Sequence, residues 1–313
     1  VIKNIKVQKT LVWSLKLLLF IGVLLFFAFQ IKSVEFSQFY ALNFVHPISL
    51  VFVFVLLPVN WGLELLKWRR ILQVNDIRFN LKKLLISLFS GIATGLITPN
   101  RIGNFIGRMV FFKGKVRGQI ILGTLFSNYA QFVVTIFFGL LSFLFFDKLF
   151  FDRLGSSPLG FMIIFSSTVI SFYFLLPYLP FQKVKFLRRR LNVIRQFQLK
   201  ARQLNFSLLI LSAIRYLIFS TQFALVLMAF GVTPSLLLYG GIFMVYLLST
   251  LTPSLLFGKI IIRETVALFV LSFIIENEAV ILVSSLVLWF INIGIPSLFG
   301  LFFILRRKLY GNS

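Results

Sequence analysis

The stretch GLITPNRIGNFIGRMVFF, Gly95 to Phe112, interrupts a long apolar run with a proline, an asparagine and two arginines, then becomes apolar again. Backbone inside a bilayer has no water to satisfy its amides and carbonyls, so such a break survives only where protein or a water-filled cavity replaces the lost bonds. A charged side chain at mid-membrane costs at least about 2.5–3.5 kcal/mol, so Arg101 and Arg108 must face a partner or a cavity rather than lipid. The reading of this stretch decides whether the chain simply crosses a membrane here or turns back inside it.

The rest of the sequence says that a membrane is present. Hydrophobic residues make up 59% of the 313 positions and the mean hydropathy is +0.99, with several runs long enough to span a bilayer. Full-length apolar spans read at Leu11 to Ile31, Ile48 to Leu66, Gln119 to Phe146, Leu159 to Leu176, Phe206 to Phe230 and Ala279 to Leu305. The first follows a lysine-rich start but is long for a signal segment and lacks a small-x-small cleavage site, so it reads as a retained span. Two further apolar regions, Leu84 to Phe112 and Leu236 to Ile275, are each split by a Thr-Pro pair. The longest clearly polar region is the linker Gln182 to Gln203, which leaves no room for a separate soluble domain.

The formal charge of +24 would suggest nucleic acid in a soluble protein, but here the basic residues flank spans, as topology and anionic headgroups require. If the first split region enters and leaves on one side, 24 of the 32 Lys and Arg fall on a single face. The opposite face keeps only Lys32, Lys148 and Arg153, while Arg101, Arg108, Arg215, Lys259 and Arg263 stay within apolar regions. The positive-inside rule then places both termini in the cytoplasm. The arm Ile102 to Phe112 would reach only about 16 Å as a helix, well short of a core of about 30 Å. Each split region is accordingly expected to be a re-entrant hairpin.

The two split regions also resemble each other. Thr98-Pro99, Gly103 and Arg108 match Thr252-Pro253, Gly258 and Arg263 at an offset of 154 to 155, half the chain, and neighbouring spans follow at similar offsets. The expected architecture is all-α and membrane-integral, with about six spanning helices and two re-entrant helical hairpins in an inverted-topology repeat. The first repeat covers residues 1–155 (spans 11–31, 48–66 and 119–146, hairpin 84–112). The second covers 156–313 (spans 159–176, 206–230 and 279–305, hairpin 236–275). Inverted repeats with broken helices at matching positions point to a transporter with a site near the membrane middle.

Pro99 and Pro253 suit the first turn of a new helix, with Thr98 and Thr252 as candidate N-caps. Each second arm would then begin with free amides and a positive dipole end, and two such ends would form an anion site. Arg101, Arg108, Lys259 and Arg263 add positive charge around it, and Glu264 is the candidate partner of these cations. Arginine suits bidentate phosphate recognition. Two readings stay open for Arg108, snorkelling to the cytoplasmic face or phosphate contact, and Arg215 has Glu64 or Glu264 as possible partners. Asn60, Asn128 and Gln131 either line a cavity or bond between helices. The cluster LLKWRRIL, Leu65 to Leu72, reads as interfacial anchoring by Trp68 and its basic neighbours, and Arg188 to Arg190 as a cytoplasmic topology signal. There is no cysteine, and His46 before Pro47 reads as a loop residue, so no metal or cofactor is implied and general acid-base chemistry lacks groups. An enzyme is not expected.

The quoted residues resemble the lysylphosphatidylglycerol synthase transmembrane region, a bacterial and archaeal family that includes the flippase domain of the multiple peptide resistance factor. KWRRIL after the second span, TPNRIGNFIGR in the first hairpin and TPSLLFGKIIIRE in the second carry the resemblance across nearly the whole chain. Pro99, Gly103 and Arg108 match the family's first hairpin, but Asn104 stands where the family usually has an acid. Pro253, Gly258 and Glu264 match the second. The resemblance implies lipid translocation in a prokaryotic inner membrane. The sequence ends at Ser313 after its last span, so no lysyltransferase domain is expected to follow.

The leading expectation is a flippase-like transporter holding a phosphate-headed lipid between the hairpin tips, with membrane lipids as partners and a homo-oligomer open. Arg101 and Arg263 would contact phosphate, Lys259 and Arg108 would supplement the field, and Glu264 would orient Arg263. The alternatives are a carrier or channel for a small soluble anion and a non-catalytic accessory membrane protein.

Overall fold

A computed structural model of the chain describes Ser14 and residues 21–32, 34–98, 102–112, 114, 116–151, 159–178, 191–253 and 258–310. Every regular element among them is helical. They are α1 (Ile21–Lys32), α2 (Phe36–Tyr40), α3 (Ile48–Val74), α4 (Leu81–Leu96), α5 (Gly103–Met109), α6 (Val116–Phe151) and α7 (Leu159–Leu175), followed by α8 (Leu191–Ala229), α9 (Leu236–Leu251), α10 (Gly258–Leu271), α11 (Glu278–Trp289) and α12 (Ile295–Tyr310). A single π-turn, Phe290–Gly294, joins α11 to α12.

Among the described residues, four helical stretches are long and apolar enough to cross a membrane: Ile48–Val74, Val116–Phe143, Gln198–Ala229 and Glu278–Arg306. The other two expected spans are present as shorter described helices, Ile21–Lys32 and Met162–Leu175. Side chains distribute accordingly. Ile48, Val51, Phe52 and Val55 on α3, Ile210, Ile214 and Leu217 on α8, and Leu298, Phe302 and Leu305 on α12 are exposed, whereas Ser87, Ser90, Ser212, Ser220 and Gln222 are buried. Apolar surface outside and small polar groups inside is the arrangement lipid favours.

Local chemistry sets the starts of the two broken regions. Asn80 caps α4 by accepting from the Lys83 amide at 2.8 Å, and Ser235 caps α9 by accepting from the Leu238 amide at 3.0 Å. Packing is reciprocal. α3 lies on α8, α4 packs against α12 as well as α5, and α9 packs against α6 as well as α10. One core gathers Trp68, Ile71, Leu88, Phe126, Tyr173 and Leu208; a second gathers Phe223, Ile242, Leu247, Leu268 and Ile281.

Two expected boundaries move. α3 continues past Leu66 to Val74 because Trp68, Ile71 and Leu72 are fully buried in the first core, and it stops where the Asn75 side chain donates to the Ile71 carbonyl and Asp76 takes a positive φ. LLKWRRIL is therefore the C-terminal part of a long helix, and Trp68 is a core residue rather than an interfacial anchor. The polar linker is helical from Leu191 onward, as the first turns of α8, and Arg188 to Arg190 lie outside the described residues.

Candidate functional site

The first break is closed by two threonines. Thr98 Oγ1 accepts from the Gly103 amide at 2.6 Å and donates to the Thr94 carbonyl at 2.9 Å, while Thr94 Oγ1 lies 2.6 Å from the Gly103 carbonyl. Thr98 thus satisfies the first amide of the new helix, as a cap should, but α5 starts at Gly103, later than the Thr-Pro pair implied. Pro99 and Arg101 lie outside the described residues. A Cβ on Gly103 would overlap the Thr94 carbonyl and one on Gly107 the Ser90 carbonyl, so α5 sits backbone against backbone on α4.

That close approach carries Arg108 inward. Its side chain is 1% exposed; Nη2 donates to Glu64 Oε1 at 2.8 Å, Nε donates to Asn104 Oδ1 at 3.0 Å, and the guanidinium stacks 4.9 Å from the centre of the Trp68 ring. Trp68 is itself fixed by donating to Ser87 Oγ at 2.9 Å. Snorkelling of Arg108 is excluded by this burial. Asn104 supplies a neutral acceptor.

Glu64 gathers two further cations. Lys67 Nζ lies 3.5 Å and Arg215 Nη1 3.7 Å from Glu64 Oε2, and Arg215 also donates to Gln131 Oε1 at 3.3 Å. Lys67, counted in the sequence with the cytoplasmic face, is 1% exposed, whereas Arg215 keeps 26% exposure. Three helices, α3, α5 and α8, therefore bring three cations to one carboxylate, and α6 adds the neutral Gln131. Arg108 Nη1, Arg215 Nε and Gln131 Nε2 are buried donors with no acceptor among the described residues. A site with surplus positive charge and surplus donors is chemically suited to an anion with several acceptor oxygens.

The second break is built differently. The Thr252 amide and Oγ1 both donate to the Leu248 carbonyl, closing the end of α9, and the amides of 254–257 that it was expected to cap lie outside the described residues. Lys259, one residue after Gly258 opens α10, donates to the carbonyls of Ser249 at 2.7 Å and Thr252 at 3.2 Å. Its charge meets the negative end of the α9 dipole. Pro253 is described, but residues 254–257 are not. Arg263 Nη2 donates to Glu264 Oε1 at 2.9 Å and to the Ser285 carbonyl at 2.5 Å, and Ser285 Oγ donates to the same Glu264 oxygen at 3.0 Å. This pair balances its own charge. The Tyr246 phenol donates to the Phe219 carbonyl at 3.5 Å and its ring packs edge-on against Tyr216 and Phe219.

A third polar group has no charge. Asn60 Nδ2 donates to Gln222 Oε1 at 3.3 Å and to Asn292 Oδ1 at 2.5 Å, Asn292 Nδ2 donates to Gln222 Oε1 at 3.1 Å, and Gln222 Nε2 donates to the Val53 carbonyl at 3.0 Å. Asn60 therefore bonds between helices. Gln131 joins the cationic cluster, and Asn128 is exposed on α6. Among the described residues no three His, Asp or Glu side chains gather as metal ligands.

Of the residues singled out in sequence, Arg108 and Arg215 come together on Glu64, Arg263 and Glu264 pair with each other, and Lys259 bonds to the end of α9. The centre of the cationic cluster, Glu64, was seen only as a possible partner of Arg215, and Lys67 and Trp68 were placed at the membrane face. Their signal was present in the α3 sequence: Glu64, Lys67, Trp68 and Ile71 recur at i, i+3, i+4 and i+7, one face of a helix.

Apolar spans packed around buried polar groups define a multi-pass membrane protein. The chain belongs to the lysylphosphatidylglycerol synthase TM region family, whose model matches residues 13–300. No curated protein and no solved structure matches it.

Proposed function

We propose that this protein is a non-enzymatic transporter of the flippase type, which takes the head of a phosphate-containing lipid at the Glu64 cluster while the tails remain in the bilayer. The observation that carries the reading is the convergence of Lys67, Arg108 and Arg215 on one carboxylate inside apolar helices, with buried donors left over. Arg215 is the contact residue of choice, because it is partly exposed and loosely held at 3.7 Å. Arg108 and Lys67 supply field, and Arg263 and Glu264 stabilise the second broken region behind Tyr246. Lipid tails have a route along α3: a groove of about 280 Å³ between α3 and α4 is lined by Leu65, Leu66, Phe79, Leu81 and Leu84, with Arg69 among them.

The reciprocal packing of α3 on α8, α4 on α12 and α9 on α6 supports an inverted repeat, in which α4–α5 and α9–α10 are re-entrant hairpins entering from opposite faces. The charge distribution in the sequence supports cytoplasmic termini in a prokaryotic inner membrane.

The test is reconstitution into liposomes containing headgroup-labelled lipids, followed by a membrane-impermeant quencher. Wild type accelerates loss of signal from the inner leaflet for a phosphate-headed lipid, and Arg215→Gln slows it at least tenfold, the scale of a lost charge-assisted contact. Equal rates with and without protein, together with flux of a soluble anion, would turn the reading to a small-anion carrier. Neither flux would leave an accessory role.

A further inference from the structure

We infer that the head bound at the Glu64 cluster is a doubly charged phosphate, a phosphomonoester or diphosphate rather than a phosphodiester, and that Lys67 sets this charge preference. The inference rests on the translocation reading above and specifies its cargo.

The charge count comes first. Arg108, Lys67 and Arg215 lie 2.8, 3.5 and 3.7 Å from the Glu64 carboxylate, and among the described residues no other carboxylate forms an ion pair with any of them. Three cations against one anion leave two positive charges without compensation in a low-dielectric interior, where like charges repel strongly. A phosphodiester with one charge would remove half of that surplus. A phosphomonoester or a diphosphate head removes all of it.

Donor geometry agrees. Arg108 Nη1, Arg215 Nε and Gln131 Nε2 are three buried donors without acceptors. A terminal phosphate offers three acceptor oxygens, whereas a diester offers two unbridged ones. Asn104 matters here through what it lacks. It accepts from Arg108 Nε at 3.0 Å, as a carboxylate in its place would, yet adds no negative charge.

Lys67 is the group that ion pairing does not require. Glu64 is already met by Arg108 at 2.8 Å, and Lys67 stands off at 3.5 Å while being 1% exposed. Burial of a third cation beside a satisfied carboxylate is explained by an additional anion. A cationic aminoacyl head has no place in this cluster, because it would add to the surplus and its natural partner, Glu64, is engaged.

The experiment measures competition at pH 7, where a phosphomonoester carries a charge of about −1.5 to −2. Purified protein in detergent binds radiolabelled short-chain phosphatidate, and unlabelled phosphatidate, phosphatidylglycerol, lysyl-esterified phosphatidylglycerol, glycerol 3-phosphate and inorganic phosphate compete. Phosphatidate is expected to compete about tenfold better than phosphatidylglycerol, with the cationic lipid weakest. Lys67→Met should reduce the preference to about threefold or less by weakening phosphatidate alone. The wild-type ratio tests the inference even if that variant does not fold. Equal competition by phosphatidate and phosphatidylglycerol, both lost in Arg215→Gln, would overturn the charge preference and leave the phosphate-headed reading intact. If the cationic lipid competes best, the inference is wrong. Glycerol 3-phosphate or inorganic phosphate competing as well as phosphatidate would support the charge and assign it to a soluble anion. Absence of phosphatidate binding would remove both the inference and the reading beneath it.

Discussion

Arg108 and Glu64, 44 residues apart in sequence, meet at 2.8 Å in the protein interior, with the arginine stacked on Trp68 and 1% exposed. Breaking such a pair from one side leaves an uncompensated buried charge, which costs about 3–5 kcal/mol. Glu64→Gln should therefore lower the unfolding temperature in detergent sharply, because three cations then lack a counter-charge. Arg108→Lys should not rescue stability, since lysine supplies neither the second bond to Asn104 nor a planar group for Trp68. A Glu64→Gln/Arg108→Gln double variant is expected to cost less than the two single variants together, measured as a double-mutant cycle.

Trp68→Phe separates the two readings of the second helix. An interfacial tryptophan exchanged for phenylalanine changes stability little. In the structure, Trp68 is fully buried, donates to Ser87 Oγ at 2.9 Å and lies under Arg108. Losing the donor, the stacking and part of the ring should cost about 1–3 kcal/mol, read from thermal or denaturant unfolding. Ser87→Ala alone should cost less, because it leaves the ring and its contact with Arg108 in place.

Gly103 and Gly107 allow α5 to sit on the backbone of α4. Gly107→Ala places a methyl against the Ser90 carbonyl, part of a rigid helix, so the two helices must separate. The expected loss is about 1–3 kcal/mol, typical of overpacking. Gly62→Ala is the control, because a Cβ there meets nothing within 4 Å. A cysteine pair engineered across α4 and α5 should cross-link more slowly in Gly107→Ala than in the parent, and an unchanged rate would mean that the helices do not rely on this contact.

The sequence carried the membrane class and the broken regions and singled out Arg108 and Arg215, because apolar run length, Thr-Pro breaks and charges inside apolar runs are local features. It did not carry the site's centre. Glu64 and Lys67 lie three residues apart, an ordinary helical ion pair when read locally, and Lys67 belongs to a basic cluster that satisfies the positive-inside rule. Only the packing of α4, α6 and α8 against α3, with Arg108 reaching across from α5, shows that Lys67 is enclosed. Thr252 has a second role that the Thr-Pro pair does not announce, since its hydroxyl also donates back to the Leu248 carbonyl and ends α9.

The amide triad yields the last prediction. Pro296 has no amide to give the Asn292 carbonyl, and the helix widens just before it, with the Ile295 amide bonding the Phe290 carbonyl five residues back. That wide turn brings Asn292 to Asn60 and Gln222. Pro296→Ala restores a donor, so the helix can return to regular geometry, rotating Asn292 away from its partners. Asn60→Leu should cost about 1–3 kcal/mol in the parent, where it strands two buried amides. In a Pro296→Ala background the same change should cost about 1 kcal/mol less, a coupling typical of a shared network. The cycle is read by thermal unfolding of the four proteins in detergent. An unchanged cost for Asn60→Leu in both backgrounds would show that the π-turn does not depend on Pro296, and that the three amides are held together by the packing of α3 and α8 alone.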